Sequence, residues 1–448
     1  MHGDLRRAKA RHRSIGMVPR TLLAHGLAYV APALVAAVLL PAASAPASQI
    51  LVLDDAGHVR VQRDRLPALP PSDPAPAAPA APAARAARGY ATIPSEIRRL
   101  RAAAAIAPDA ATAAAATYRD ARKLAKHLKG RRKLELLGVI RTFDRMAADG
   151  SVTAARLPLM MRTRRRNAAW WKSGPLLPYG QRVRFARSRL VWQSYPGQGI
   201  QVQWLGTFAR ANQLYLAGGY DDELRALLDE IVASAVPRAG GIAWEYLFTF
   251  GGGRPPWASG LAQATAIQAL SRGAVRLKHP AYFASARSAL GVFAAPPPSG
   301  VRVVTAAGAH YLAYTYAPGQ RIFNAFFQAV VGLHDFAALA NDARARALYL
   351  AGVRQAAVEV AKADTGTWSL YSPGIASDIG YHKVLRDFAR GLCRRMQVDR
   401  ERAATALRAR AGPDAVLTSV RDTPDPAPFC IATRSLTREL YSRLGLFG

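Results

Sequence analysis

The stretch His310 to Arg321, HYLAYTYAPGQR, carries Tyr311, Tyr314 and Tyr316 within six residues, directly before a segment of helical periodicity. A phenol has an ordinary pKa of about 10. It gives a proton to a carbanion readily, and it accepts one only where nearby cations stabilise the phenolate. The same rings also pack well at a loop–helix junction. Two readings therefore stand: ordinary aromatic packing, or phenols aimed into a site. His25, His58 and His127 are scattered without ligand-like spacing and receive no role.

Helices must position any such site. Thr92-Ile93-Pro94-Ser95-Glu96 carries helix-start signals, and Pro108-Asp109 restarts a helix after Ala107. Helices are expected over about 94–106, 108–128, 131–148 and 152–170. Residues 182–193 alternate, with Val183, Phe185, Leu190 and Trp192 as their apolar members, and predict a short hairpin. Beyond it one theme repeats, a loop followed by an amphipathic helix. GIQVQWLGTFARANQLYLAGG stops at Gly218-Gly219. DDELRALLDEIVASAV opens with acidic residues where the helix dipole favours them. ASGLAQATAIQALSRGAVRL has Ser259 as its N-cap, and RIFNAFFQAVVGLHDFAALA pairs with DARARALYLAGVRQAAVEVAKA. Helix pairs joined alternately by short and longer loops predict a mainly α fold, an α/α toroid (an incomplete α/α barrel) of helical hairpins with small β elements. The longer Gly/Pro/aromatic-rich loops gather at one mouth of such a ring, where function usually sits.

The chain has 448 residues, half of them hydrophobic, enough for a large core. Its formal net charge of +32 favours an anionic partner: nucleic acid, an anionic envelope or an acidic polymer. The plain alternative is that arginine serves as the solubilising residue. No RNP motif, zinc-finger spacing or basic-zipper heptad accompanies the basic runs, which disfavours nucleic acid. Residues 1–45 read as a signal peptide: basic from Arg6 to Arg20, apolar from Leu22 to Leu40, then the small residues Ala42-Ala43-Ser44-Ala45. A secreted or extracytoplasmic protein follows, with an uncleaved membrane tether as the runner-up. Residues 46–64 predict a β-hairpin around Asp54-Asp55-Ala56-Gly57, and 65–91 a semi-extended Pro/Ala linker leading into a helical region over 92–169. In an oxidising compartment the two cysteines, Cys393 and Cys430, are expected to form a disulfide, with two buried thiols as the alternative. A homodimer is compatible with the chain, and no metal site is expected from two cysteines.

Four segments in order resemble the C-terminal domain of the D-glucuronyl C5-epimerase family: QSYPGQGIQVQWLGTFARANQLYLAGG, RPPWASGLAQATAIQALSRG, RIFNAFFQAVVGLHDF, and TWSLYS followed by GYHKVLRDF. The resemblance covers about residues 170–395, so 170–448 is expected to be an epimerase-like toroid domain. It implies an α/α toroid-like catalytic domain, no metal or organic cofactor, and inversion of C5 in glucuronate residues of an acidic, heparosan-like polysaccharide. Such an inversion removes a proton from the carbon beside a carboxylate and returns one to the opposite face. It needs two proton-transfer groups and neutralisation of the carboxylate charge, for which an Arg-rich cleft is suited.

The family's active-site tyrosines fall on Tyr314, ten residues before the helix residue Asn324, on Tyr371 of SLYSPG, and on Tyr381 of GYHKVL. Tyr316 replaces Tyr314 if the loop shifts by two residues. Substrate binding is expected of Arg254, Trp257, Tyr316, Asn324 and His382, against the plainer readings of a solvated loop cation, a core tryptophan and a satisfied buried histidine. Ala313 stands where the family commonly has a Glu beside the tyrosine. Glu245, in AWEYLFTF, is the nearest acidic candidate for the missing base. Two other functions fit the same residues: a uronate polysaccharide lyase, which follows the same proton abstraction by β-elimination, and a non-catalytic glycan-binding or envelope protein.

Overall fold

The computed structural model describes residues 47–67, 91–411 and 423–444. The expected signal segment and most of the Pro/Ala tract lie outside the described residues.

The chain opens with a hairpin of β1 (Ala47–Leu53) and β2 (Val59–Pro67). Four helices follow, α1 (Ile93–Ala102), α2 (Pro108–His127), α3 (Gly130–Ala148) and α4 (Leu157–Ser173). The first ends earlier than its alanine-rich sequence predicts, because Ala104 turns the chain with φ at 51°. Its start follows the sequence: Thr92 Oγ1 caps Ser95 N while Ser95 Oγ caps Thr92 N. The fourth begins five residues later than expected, on the turn before Leu157-Pro158.

Next come β3 (Arg182–Phe185), β4 (Trp192–Tyr195) and β5 (Gly199–Val202). The expected hairpin is β3 with β4, antiparallel with Arg182 opposite Gln193. These strands belong to one five-stranded sheet in the order β2-β1-β3-β4-β5, in which β1 runs parallel to β3. The N-terminal hairpin is thus part of the body of the molecule. Two side chains seat this sheet on the helices. Asn167 of α4 takes Ile200 N on its Oδ1 and gives Nδ2 to Ile200 O, both at 2.7 Å. Glu135 of α3 accepts Gly197 N and Gly199 N in the β4–β5 turn, where both glycines hold positive φ.

The remaining helices form two layers. One contains α5 (Trp204–Ala217), α7 (Gly260–Arg276), α10 (Phe323–Ala340) and α12 (Ile379–Ala411), packed in that order. Each is backed by the next helix in the chain: α6 (Asp221–Val232), α8 (Ala281–Ala289), α11 (Ala343–Ala363) and α13 (Ala427–Arg443). A short helix, α9 (Gly291–Ala294), follows α8. The mainly α fold with a short N-terminal β-hairpin is therefore observed. Helix α10 is mostly apolar and buried because it is central, touching α7, α11 and α12. Gly332 lets it approach α7 so closely that a Cβ there would strike the Ala264 carbonyl.

Three small ribbons, β6–β7 (Val236–Arg238, Gly241–Ala243), β8–β9 (Arg302–Val304, Ala309–Tyr311) and β10–β11 (Leu370–Ser372, Ile375–Ala376), lie on the connections that lead into α7, α10 and α12. The strands β4 and β5 lead into α5 in the same way. The structured loops thus gather at the N-terminal ends of the inner helices. Cys393 of α12 and Cys430 of α13 are joined by a disulfide.

Candidate active site

Those N-terminal ends enclose a cavity. Gln203 caps α5, Ser259 caps α7, Ile322 and Asn324 begin α10, and Tyr381 lies in the first turn of α12, and all five line it. The rest of the wall is mainly aromatic: Tyr195, Tyr246, Phe248, Phe250, Trp257, Tyr314 and Tyr371.

Tyr314 follows β9 and is fixed by the backbone on both sides. Ala313 O accepts Gly260 N at 3.1 Å, and Thr315 N donates to Ala258 O at 3.1 Å. These bonds clamp the tyrosine loop to the start of α7. Tyr371 sits on β10, and Tyr381 has its backbone N–H bound to Asp378 Oδ1 at 2.8 Å. The rings of Tyr371 and Tyr381 stand 4.5 Å apart. The tyrosines 314, 371 and 381, drawn from three separate segments, thus share one cavity.

Burial pushes the Tyr314 hydroxyl well above the ordinary phenol range, and the neighbouring phenols of Tyr371, Tyr316 and Tyr381 push the same way. Tyr314 Oη has no hydrogen-bond partner among the described residues. Asn324, 1% exposed, has none for either Oδ1 or Nδ2. A buried amide left unbonded on both atoms is costly, and both atoms belong to a residue of the cavity wall. The Asn324 amide and the Tyr314 hydroxyl therefore keep hydrogen-bonding capacity that the described residues leave unused.

The other expected residues divide. Trp257 is in the wall, its Nε1 bonded to Phe248 O at 2.7 Å and its ring stacked on Tyr246 at 4.2 Å. Tyr316 lies behind it, stacked on Tyr314 at 5.2 Å. His382 turns away: Ser369 Oγ engages Nδ1 at 2.9 Å, Leu436 O takes Nε2 at 2.8 Å, and Trp368 stacks on the ring. It is a packed core histidine outside the cavity wall. Arg254 is exposed on its loop and is outside the cavity wall. Glu245 is buried but fully engaged, gripped by Arg156 at 2.6 and 3.0 Å and by Arg238 at 2.7 Å, so it is not the missing base. Tyr311, best read from the sequence as packing, lies in the core and donates to Leu348 O at 2.6 Å.

Three wall residues were not foreseen: Tyr195, Tyr246 and Gln203. They form a relay. Leu205 N donates to Tyr246 Oη at 2.9 Å, Tyr246 Oη to Gln203 Oε1 at 3.0 Å, and Gln203 Nε2 to Tyr195 Oη at 3.0 Å. The motif containing Tyr195 and Gln203 had been read for its order along the chain, not for chemistry. Among the described residues the wall holds no carboxylate and no cation, unlike the expected Arg-rich cleft. Four helix N-termini converge on it instead, each worth about half a unit of positive charge. Among the described residues no group of three or more His, Cys, Asp or Glu could hold a metal ion.

Residues 240–398 match the family model described as D-glucuronyl C5-epimerase C-terminus, the family and domain that the ordered motifs resemble. No curated protein matches the chain. Among solved structures, the Lin0763 protein from Listeria innocua is similar at 14% identity, over 71% of this chain and 86% of its own, with a TM-score of 0.29.

Proposed function

We propose that the protein is an extracytoplasmic polysaccharide-uronate C5-epimerase that acts through the phenols of Tyr314, Tyr371 and Tyr381. The observation that carries this reading is the convergence of the three on one cavity, beside an unbonded Tyr314 hydroxyl and an unbonded Asn324 amide. The family match over 240–398 supports the reaction class. The basic-then-apolar N-terminus and the disulfide support the compartment.

Inversion begins when a tyrosinate takes the C5 proton, leaving the electron pair delocalised into the adjacent carboxylate. A neutral phenol then returns a proton to the opposite face. That donor becomes the tyrosinate, and exchange with water restores both groups before the next turnover. Burial keeps Tyr314 protonated, which gives it the donor role, and abstraction is left to Tyr371 or Tyr381, equally buried phenols that serve as base only with a cation brought beside the cavity. Asn324 Nδ2, together with the N-termini of α10 and α12, faces the negative charge that builds on the carboxylate.

The test is deuterium incorporation at C5 when a glucuronate polymer is incubated with the protein in deuterated water. Incorporation is expected, with about a 100-fold or greater fall in Tyr381→Phe, in the range of a lost general acid–base group, and an unchanged melting temperature. No incorporation with any glucuronate polymer removes the epimerase reading, and full incorporation in Tyr381→Phe removes that residue. An unsaturated-uronate absorbance in the ultraviolet assigns the site to a lyase. A second reading is favoured by the lack of a wall carboxylate: a glycan-binding protein whose Trp257 and Tyr246 rings stack on sugars. Polymer binding without exchange selects it.

A further inference from the structure

The proposed chemistry needs a cation for the uronate carboxylate, and the cavity wall has none. The sheet beside it supplies one. Arg182 opens β3 opposite Gln193, and Tyr195 lies two residues further along β4, so both side chains leave the same face of the sheet. Diagonal neighbours of this kind are within reach of long side chains. Guanidinium and phenol are close enough for each to bias the ionisation of the other.

Arg182 as a whole is half-buried, but its Nε and Nη2 have no hydrogen-bond partner among the described residues and almost no contact with solvent. These two N–H groups are the side of the guanidinium that holds a carboxylate through parallel bonds. Burial lowers the pKa only to about 10, so the group is a cation at neutral pH. Other buried arginines have their needs met differently. Arg156 and Arg238 share Glu245, and Arg272 and Arg395 share Asp335. Arg164 and Arg166 also keep unbonded donors, but Arg164 lies over the rings of Tyr118 and Phe143, and Arg166 over Phe185 and Trp192. Among the described residues Arg182 has neither a carboxylate nor such a ring, and a buried charge in that condition calls for a counter-ion.

Tyr195 is prepared for the same ligand. Gln203 Oε1 is taken by Tyr246 Oη and Leu205 N, which commits its Nε2 to Tyr195 Oη. With that oxygen accepting, the Tyr195 proton is left to donate. We propose that Arg182 and Tyr195 form a carboxylate-binding corner beside the cavity, with Tyr195 in its wall as a phenolic donor and Arg182 next to it on the same sheet face as the bidentate cation, which selects uronate over neutral sugar residues. Both lie outside the segment that matches the family model. The choice of uronate rests on the function proposed above.

The experiment is calorimetric binding of a glucuronate-containing oligosaccharide and of its carboxyl-reduced counterpart to the full chain. Wild type is expected to prefer the acidic ligand. Arg182→Met should weaken that ligand about 10- to 100-fold, the span for a charge-assisted bond, and leave the reduced one unchanged. Arg182→Lys keeps charge without the fork, and Tyr195→Phe keeps the ring without the donor; intermediate losses are expected from both, with melting temperatures checking the fold. Equal affinity of wild type for the two ligands overturns the assignment, as does retained preference in both Arg182→Met and Tyr195→Phe. Retained preference in wild type, lost in Arg182→Met, without C5 exchange, keeps this corner and removes the epimerase.

Discussion

At Ala313 a methyl group meets the cavity where a carboxylate was expected, and the surroundings explain how the site stands without one. A carboxylate there would be buried among phenols with no cation in the wall, and its charged form would be strongly disfavoured. The motif order pointed to Tyr314, Tyr371 and Tyr381, which the structure gathers in one cavity, because short segments carry them. The engagement of His382 and Glu245 away from the cavity was not readable, because their hydrogen-bond partners arrive from distant segments, Leu436 in one case and Arg156 in the other. No local pattern reports such partners. Gly253 gives a sharp test at this scale. A Cβ there would run into the Tyr316 ring, which stacks on Tyr314 and meets Trp257 edge-on. Gly253→Ala should displace Tyr316 and lower C5 exchange about tenfold or more, within the range seen when catalytic groups are misplaced, with little change in melting temperature. Unaltered exchange would show that the Tyr316 stack does not hold Tyr314 in place.

Helices obey both local and distant demands. The starts at Ile93 and Pro108 were readable from caps and prolines, and Ser259 caps α7 through Ala262 N as expected. What joins the helices was not readable. Asp335 of α10 takes Arg395 of α12 at 2.6 and 2.9 Å, Arg272 of α7 at 3.2 Å and Gln268 of α7 at 2.7 Å, so one carboxylate ties three inner helices beyond the cavity. On α13, burial and then the nearby Asp364 push the Glu439 carboxyl up from 4.5 to about 7. The folded protein therefore holds a proton that the unfolded chain releases above pH 4.5. Stability from this group is complete below that pH and is lost as pH rises through about 7. Glu439→Gln should flatten the fall in melting temperature between pH 5 and 8. An unchanged slope would place the titration elsewhere.

Across the whole molecule, four chain segments far apart in sequence deliver helix N-termini to one cavity, while charged clusters and the disulfide fasten the other ends. Alternating loop lengths made the helical hairpins predictable. The parallel pairing of β1 with β3 was not, since more than a hundred residues separate them and neither strand encodes the other. That pairing bears on how the chain can be cut. The Pro/Ala tract looks like a natural place to begin a shortened protein, yet starting after residue 91 would strip β1 from β3 and bare a row of unpaired amides and carbonyls. Exposed strand borders of this kind recruit other chains. In the intact molecule the border is β2, which carries Arg60 and Arg63 and closes on Pro67, residues that discourage such pairing. The shortened protein should self-associate in sedimentation and lose affinity for acidic ligands, because β3 also carries Arg182; a well-behaved, fully binding truncation would show that the hairpin is dispensable. The hairpin thus acts as a seam that finishes the sheet.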